Sequence, residues 1–268
     1  MTTRTAVITG AAGGLGRATV RRLLDAGLQV IAVTRDGASL PSTRTLHADL
    51  TDRDAVRALA ARLHDTAGRV DVLINNAGAA FARYAATPDG TERTHALNHL
   101  APFLLTRLLL DGGTLAPGAR VINISSDLVG RGRLDAAHPD VTGASWRDRY
   151  AQIPAYGTAK LLNLMATTAL AARLPDGMTA YSANPGLLRT GFNARSGGAL
   201  AVAAAVGGLF ATAPDRAAAW PVALATAPVA PAAGLYVKGR PAAPPKPARD
   251  PDAVTAVYEH TARALGLP

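Results

Sequence analysis

Tyr156 and Lys160 stand in the segment YGTAK, four residues apart. On a helix that spacing puts both side chains on one face, one turn apart. An ammonium beside a phenol favours the phenolate and draws its pKa down from about 10, which makes the tyrosine a usable general acid or base. Tyr and Lys pairs of this spacing also occur on ordinary helix surfaces, so their company decides. Ser125 and Ser126 close the apolar run RVINIS from Arg120, at what would be the carboxyl edge of a strand. A hydroxyl there can donate to an oxygen on which negative charge develops.

A second chemistry is anion binding. Thr9 to Gly16 reads TGAAGGLG, with Gly10, Gly14, Leu15 and Gly16 at a strand-to-helix junction. Glycines there permit a tight turn, and backbone N–H groups at the positive helix end can reach a pyrophosphate. The next apolar run ends Thr34-Arg35-Asp36. In such folds its tip faces the adenosine ribose, where a carboxylate suits the 2′-hydroxyl of NAD and an arginine the 2′-phosphate of NADP. Arg35 therefore favours NADP(H), with NAD(H) possible if Asp36 takes the ribose. Asp49 and Leu50 would flank the adenine, although Asp49 could equally cap the helix that begins near Asp52.

These side chains need a scaffold that brings strand ends together. TAVIT (Thr5–Thr9), the helical pattern at 15–25 and QVIAVT (Gln29–Thr34) form a βαβ unit with a right-handed crossover. Further strands are predicted at 44–48, Val70–Asn75, 120–125 and 178–184, and helices at Arg53–Ala67, 91–110, 156–174 and 251–265. The strands are nearly continuously apolar, as a parallel sheet covered on both faces requires. The predicted fold class is therefore α/β, a single doubly wound parallel sheet (Rossmann fold) with helices on both faces. One domain over 1–268 is expected, with a cofactor half at about 1–125 and a catalytic and substrate half at about 126–268.

Composition removes other classes. With 49% hydrophobic and 18% charged residues the chain has material for a core. It contains no cysteine, which excludes disulfides, thiolate nucleophiles and Cys-ligated zinc; no metal site is expected. The net charge of +9 comes from scattered arginines, with no basic block and few aromatics, so nucleic acid is not an expected partner. The uncharged stretches 196–214 and 217–237 are Ala/Gly-rich or broken by prolines, so no membrane span is expected. A cytoplasmic location is expected, with no targeting segment before the first strand. A homo-oligomer is compatible with the sequence and not shown by it.

TGAAGGLG, the NNAG at Asn75 to Gly78, Asn98, the Ser125–Ser126 pair, Tyr156 with Lys160, and the stretch from Asn184 through Pro185 and Gly186 to Thr190 occur together in one order. In this the chain resembles the classical short-chain dehydrogenase/reductase (SDR) family over nearly its whole length. GTERTHALNHLAPFLLTRLLL and GLYVKGRP resemble the retinol-dehydrogenase-like and WW-domain-oxidoreductase-like branch. The resemblance implies that Tyr156 transfers the proton, Ser126 orients the substrate carbonyl, Lys160 also binds the nicotinamide ribose, and Asn98 holds a relay water. It implies that Asn76, Ala77 and Gly78 line the adenosine side, and Pro185, Gly186 and Thr190 the nicotinamide side. The implied activity is NADP(H)-dependent hydride transfer on a hydrophobic alcohol or carbonyl compound. Alternatives are a ketoreductase of secondary metabolism acting on a polyketide-like or polycyclic ketone, and a non-catalytic NADP-binding sensor or scaffold.

The chain departs from the family pattern in places. Too few residues separate the second and third strands for a crossover helix, and Ala101-Pro102 stand where the branch commonly has Gly-His. An apolar substrate lining is expected from 128–146, 187–195 and 199–210, with 187–210, rich in glycine, acting as a lid.

Overall fold

β1 (Thr5–Thr9) is buried along its whole length and pairs parallel with β2 (Gln29–Thr34), Thr5 opposite Gln29. The crossover between them is α1 (Gly14–Asp25), which buries Leu15, Ala18, Val20 and Leu23. The structure, a computed structural model, describes residues 3–189, 197–201 and 211–268. β3 (Arg44–His47) follows β2 without a helix, and α2 (Arg53–Ala67) starts on the Asp52 carboxylate, which accepts from the N–H groups of Asp54 and Ala55. The order continues β4 (Val70–Asn75), α3 (Arg93–His95), a π turn (Ala96–Leu100), α4 (Ala101–Asp111), β5 (Leu115–Ile124), α5 (Gln152–Ala171) and β6 (Thr179–Asn184). Then come α6 (Pro214–Thr226), β7 (Gly234–Val237), β8 (Arg240–Ala242) and α7 (Pro251–Ala264).

The eight strands among the described residues form one sheet in the order β3-β2-β1-β4-β5-β6-β7-β8. Every pairing is parallel except the edge pair β7–β8. One face packs against α1 and α6 through Leu23, Ile8, Ile122 and Val222. The other packs against α2, α4, α5 and α7 through Leu59, Leu104, Leu162 and Val257. This is the doubly wound Rossmann arrangement, with the strand order reversing direction between β1 and β4, where such sheets open a ligand crevice.

Several elements differ from the expectations. The parallel sheet gains an antiparallel edge, β8, through a two-residue hairpin at Lys238 (φ 49) and Gly239 (φ 79), both in the left-handed region. β5 starts at Leu115, five residues early, and pairs with Val70 before a register shift. α5 starts at Gln152 and not at Tyr156, because Pro154 falls in the first turn, where its missing N–H has no helical partner to lose. α6 crosses the uncharged 217–237 stretch with Pro221 inside it. The expected 91–110 helix is interrupted by the π turn, which ends just before Pro102; that proline cannot supply the i+4 donor to the Asn98 carbonyl. This gives the Ala101-Pro102 departure a structural place. Among the described residues no helix is long and apolar enough to cross a membrane.

Candidate active site

The crevice begins where two turns press together. Gly10 (φ 64) lies so close to the turn after β4 that a β-carbon on it would sit 2.7 Å from Ala77 Cα. Asn76 Nδ2 donates to the carbonyls of Thr9 (2.9 Å) and Gly10 (3.0 Å), and Ala77 N donates to Thr9 Oγ1 (3.0 Å). A β-carbon on Gly16 would meet Gly10 O at 2.3 Å, so the first turn of α1 lies directly on the glycine loop. The N-cap Gly13 contributes no side-chain cap, which leaves first-turn N–H groups without a capping side chain. Those N–H groups, at the positive end of α1, fit a pyrophosphate.

Just after β2 Arg35 is exposed and forked onto Asp36, Nε to Oδ1 at 2.5 Å and Nη2 to Oδ2 at 3.1 Å. Its guanidinium pKa is raised, chiefly by that hydrogen bond. Asp36, named from the sequence as the alternative ribose ligand, instead occupies the guanidinium fork of Arg35. Asp49 accepts from Thr51 N and Oγ1, while the cap of α2 is Asp52, so Asp49 does not cap the helix. The Leu50 side chain belongs to the core beneath. Asn76, Ala77 and Gly78 are half-buried along the floor of the crevice.

The catalytic candidates converge at the carboxyl ends of β4, β5 and β6. Ser126 follows β5; its side chain accepts from Leu128 N (3.2 Å) and lies close enough to Tyr156 to act on the phenol. Lys160, 4% exposed, donates from Nζ to Ile124 O at 2.8 Å and lies 5.8 Å from the Tyr156 ring centroid. The expected lowering of the phenol by Lys160 is not what sets its acidity. Burial pushes the Tyr156 phenol above its ordinary value, and the neighbouring Ser126 side chain opposes that. Burial also draws Lys160 down to about 8. Asn98 sits in the π turn; its Nδ2 donates to Ala79 O (2.7 Å) and Thr94 O (2.8 Å), and its buried Oδ1 has no hydrogen-bond partner among the described residues. A β-carbon on Gly78 would lie 2.8 Å from Asn98 Oδ1 and 3.5 Å from Lys160 Nζ, so these two groups flank one point. Ser125 is buried just past the end of β5, where its backbone N–H donates to Ala183 O of β6.

Past β6, Asn184 Oδ1 accepts from Gly186 N (2.8 Å) and Asn184 Nδ2 donates to Asp127 Oδ1 (2.8 Å), fixing the Pro185-Gly186 turn against the end of β5. Thr190 and most of the expected 187–210 lid lie outside the described residues. Within the described part, Leu200 packs with Ala80 and Tyr156 in an apolar cluster flanked by Leu128 and Ile153. Gln152, not singled out from the sequence, organises this wall: Nε2 donates to Ala80 O (3.2 Å) and Gly197 O (3.1 Å), and Oε1 accepts from Leu200 N (3.1 Å). Its only signal was a polar residue beside Pro154 at a helix start. Asp127 was missed beside the serine pair.

Residues 4–135 match the short chain dehydrogenase family. A protein of Streptomyces sp. (strain C5), provisionally named a daunorubicin C-13 ketoreductase, is 41% identical over 70% of this chain and 67% of its own. Human retinol dehydrogenase 13 is 32% identical over 98% of this chain and 85% of its own. A blue fluorescent protein from a metagenomic library, solved in complex with NADPH, superposes with a TM-score of 0.66 at 27% identity, covering 89% of this chain and 98% of its own.

Proposed function

Because the chain belongs to the short-chain dehydrogenase/reductase family, in its retinol-dehydrogenase-like branch, we propose that it transfers a hydride between NADP(H) and a hydrophobic alcohol or carbonyl compound, with Tyr156 as general acid or base. The observation that carries this reading is the Tyr156 phenol beside Ser126 at the carboxyl edge of the sheet, with the buried Lys160 Nζ 5.8 Å from the Tyr156 ring centroid. The first turn of α1 with Gly10, Gly14, Leu15 and Gly16 would hold the pyrophosphate, and Arg35 the 2′-phosphate. Asp49, Leu50, Asn76, Ala77 and Gly78 would lie along the adenosine, and Lys160, Pro185, Gly186 and Thr190 along the nicotinamide riboside. NADP(H), when bound, supplies or accepts the hydride.

The protein's own groups handle the proton and the oxygen. In the reducing direction Ser126 Oγ–H donates to the substrate oxygen, and Tyr156 Oη–H delivers the proton to it. A phenol whose pKa is raised by burial keeps that proton until the oxygen becomes basic. The phenolate left behind is stabilised by the nearby Lys160 ammonium and regains a proton through it, with Asn98 Oδ1 accepting from the water that links the lysine to solvent. Ala80, Leu128, Ile153 and Leu200 keep bulk water from the phenol and favour an apolar substrate.

A second reading, reduction of a polyketide-like or polycyclic ketone, is supported by the 41% identity to the provisionally named ketoreductase. A scaffold without chemistry is disfavoured because Tyr156 and Lys160 are both retained. The experiment is a panel of retinoid-like aldehydes, aliphatic ketones and polycyclic ketones followed by NADPH consumption. Turnover of at least one class is expected; no turnover of any would contradict the proposal, and the preferred class separates the two enzymatic readings.

A further inference from the structure

Glu92 is the one acidic side chain fully buried among the described residues. A carboxylate removed from water costs several kcal/mol unless it is well hydrogen-bonded. Here Oε1 accepts from Thr94 Oγ1 (2.9 Å), while Oε2 accepts from His95 N (3.0 Å) and faces His95 Nδ1 at 2.9 Å. Helix capping alone does not account for the burial, because Asp52 and Asp250 cap the much longer α2 and α7 from exposed positions.

What Glu92 joins is specific. Thr94, whose hydroxyl it accepts, presents the carbonyl that orients Asn98, and that hydroxyl also meets Tyr150 Oη (3.1 Å), which donates to Phe81 O (2.7 Å). Glu92 N donates to Thr142 O (2.9 Å). Gly143 (φ 72) packs so tightly that a β-carbon on it would lie 2.5 Å from His95 Nδ1 and 2.9 Å from Glu92 Cβ. Asp140 holds that turn by accepting from the N–H groups of Gly143, Ala144 and Ser145. Three segments therefore meet around Glu92: the chain after NNAG, through Ala85 O and Phe81 O, the π turn, whose Ala96 N donates to Glu92 O, and the passage that leads into α5, through Thr142 O.

We propose that Glu92 is a positioning residue for the reaction: through Thr94 and His95 it sets the π turn that aims Asn98 Oδ1 at the point shared with Lys160. The proposal rests on the relay reading of Asn98 given above. Glu92 touches neither substrate nor cofactor, so its loss acts on the proton route and leaves cofactor binding alone.

The test is a double-mutant cycle on kcat for NADPH-dependent reduction of the best substrate in the panel, with NADPH affinity and Tm measured on each variant. Glu92→Ala should lower kcat by roughly 100-fold, the scale of a misplaced catalytic group, with NADPH Kd unchanged within about threefold. Glu92→Gln, which can still accept from His95, should recover kcat to within about fivefold of wild type. In an Asn98→Ala background Glu92→Ala should cost no more than about threefold further, because both changes remove one function. Thr94→Val replaces Glu92→Ala in the same cycle if the latter does not fold. Full additivity with Asn98→Ala, or an unchanged kcat in the folded Glu92→Ala variant, would overturn the proposal. Wild-type kcat in Asn98→Ala itself would overturn the relay reading beneath it, and is seen separately in that single variant.

Discussion

Lys160 Nζ donates to the carbonyl of Ile124 at 2.8 Å, which fastens the helix carrying Tyr156 to the strand that leads into Ser126. The lysine thus ties the helix position of Tyr156 to the end of the strand that precedes Ser126. Its ammonium is buried to do so, and burial draws its pKa from 10.5 to about 8.

That shift makes stability depend on pH. Between about 8 and 10.5 the unfolded lysine still binds a proton that the folded one has released, so this contribution to stability rises with pH across that window and is smallest below it. Thermal unfolding of wild type and Lys160→Met at about pH 7 and about pH 10 reads the effect. The difference in Tm should move in favour of wild type at the higher pH. A difference independent of pH would contradict a buried, charged lysine.

Arg35 and Asp36 form one ion pair after β2, and on the proposed reading it tunes cofactor selectivity. Asp36→Asn frees the guanidinium fork and should tighten NADPH binding by roughly tenfold, the scale of one charge-assisted hydrogen bond. Arg35→Ala should weaken NADPH by a similar factor and leave NADH nearly unchanged. Fluorescence titration of both cofactors checks this, and an equal loss for NADPH and NADH in Arg35→Ala would place Arg35 away from the 2′-phosphate.

Gly16 has no room for a side chain, since a β-carbon would press on Gly10 O and on Ala11 Cα at 2.9 Å. Gly16→Ala should destabilise the protein by about 1–3 kcal/mol through overpacking, and weaken NADPH more than it weakens the fold because the displaced atoms belong to the phosphate turn. Denaturant unfolding and NADPH titration together test this; unchanged affinity would separate the loop from the cofactor.

Much of this arrangement was legible from spacing. The YGTAK pair, the serine pair and the glycine turn carry their geometry in the local chain, where helix periodicity and a strand-to-helix junction leave few choices. The Arg35–Asp36 fork was not legible, because the directions of two neighbouring side chains depend on how the loop after β2 leaves the sheet. Glu92 was hidden for a different reason: acidic residues are seldom buried, and only its tertiary neighbours reveal that it is. Pro221 disguised α6, and a lysine in left-handed conformation at 238 disguised the hairpin that adds β8, since non-glycine residues seldom take that conformation.

The central claim is that Tyr156 carries the proton, and the most direct measurement is NADPH-dependent carbonyl reduction by Tyr156→Phe under saturating substrate, with NADPH affinity determined in parallel. The account predicts that turnover falls by at least about 100-fold, the scale of a lost general acid, while NADPH Kd stays near the wild-type value. A Tyr156→Phe enzyme that keeps more than a few per cent of wild-type turnover would contradict it.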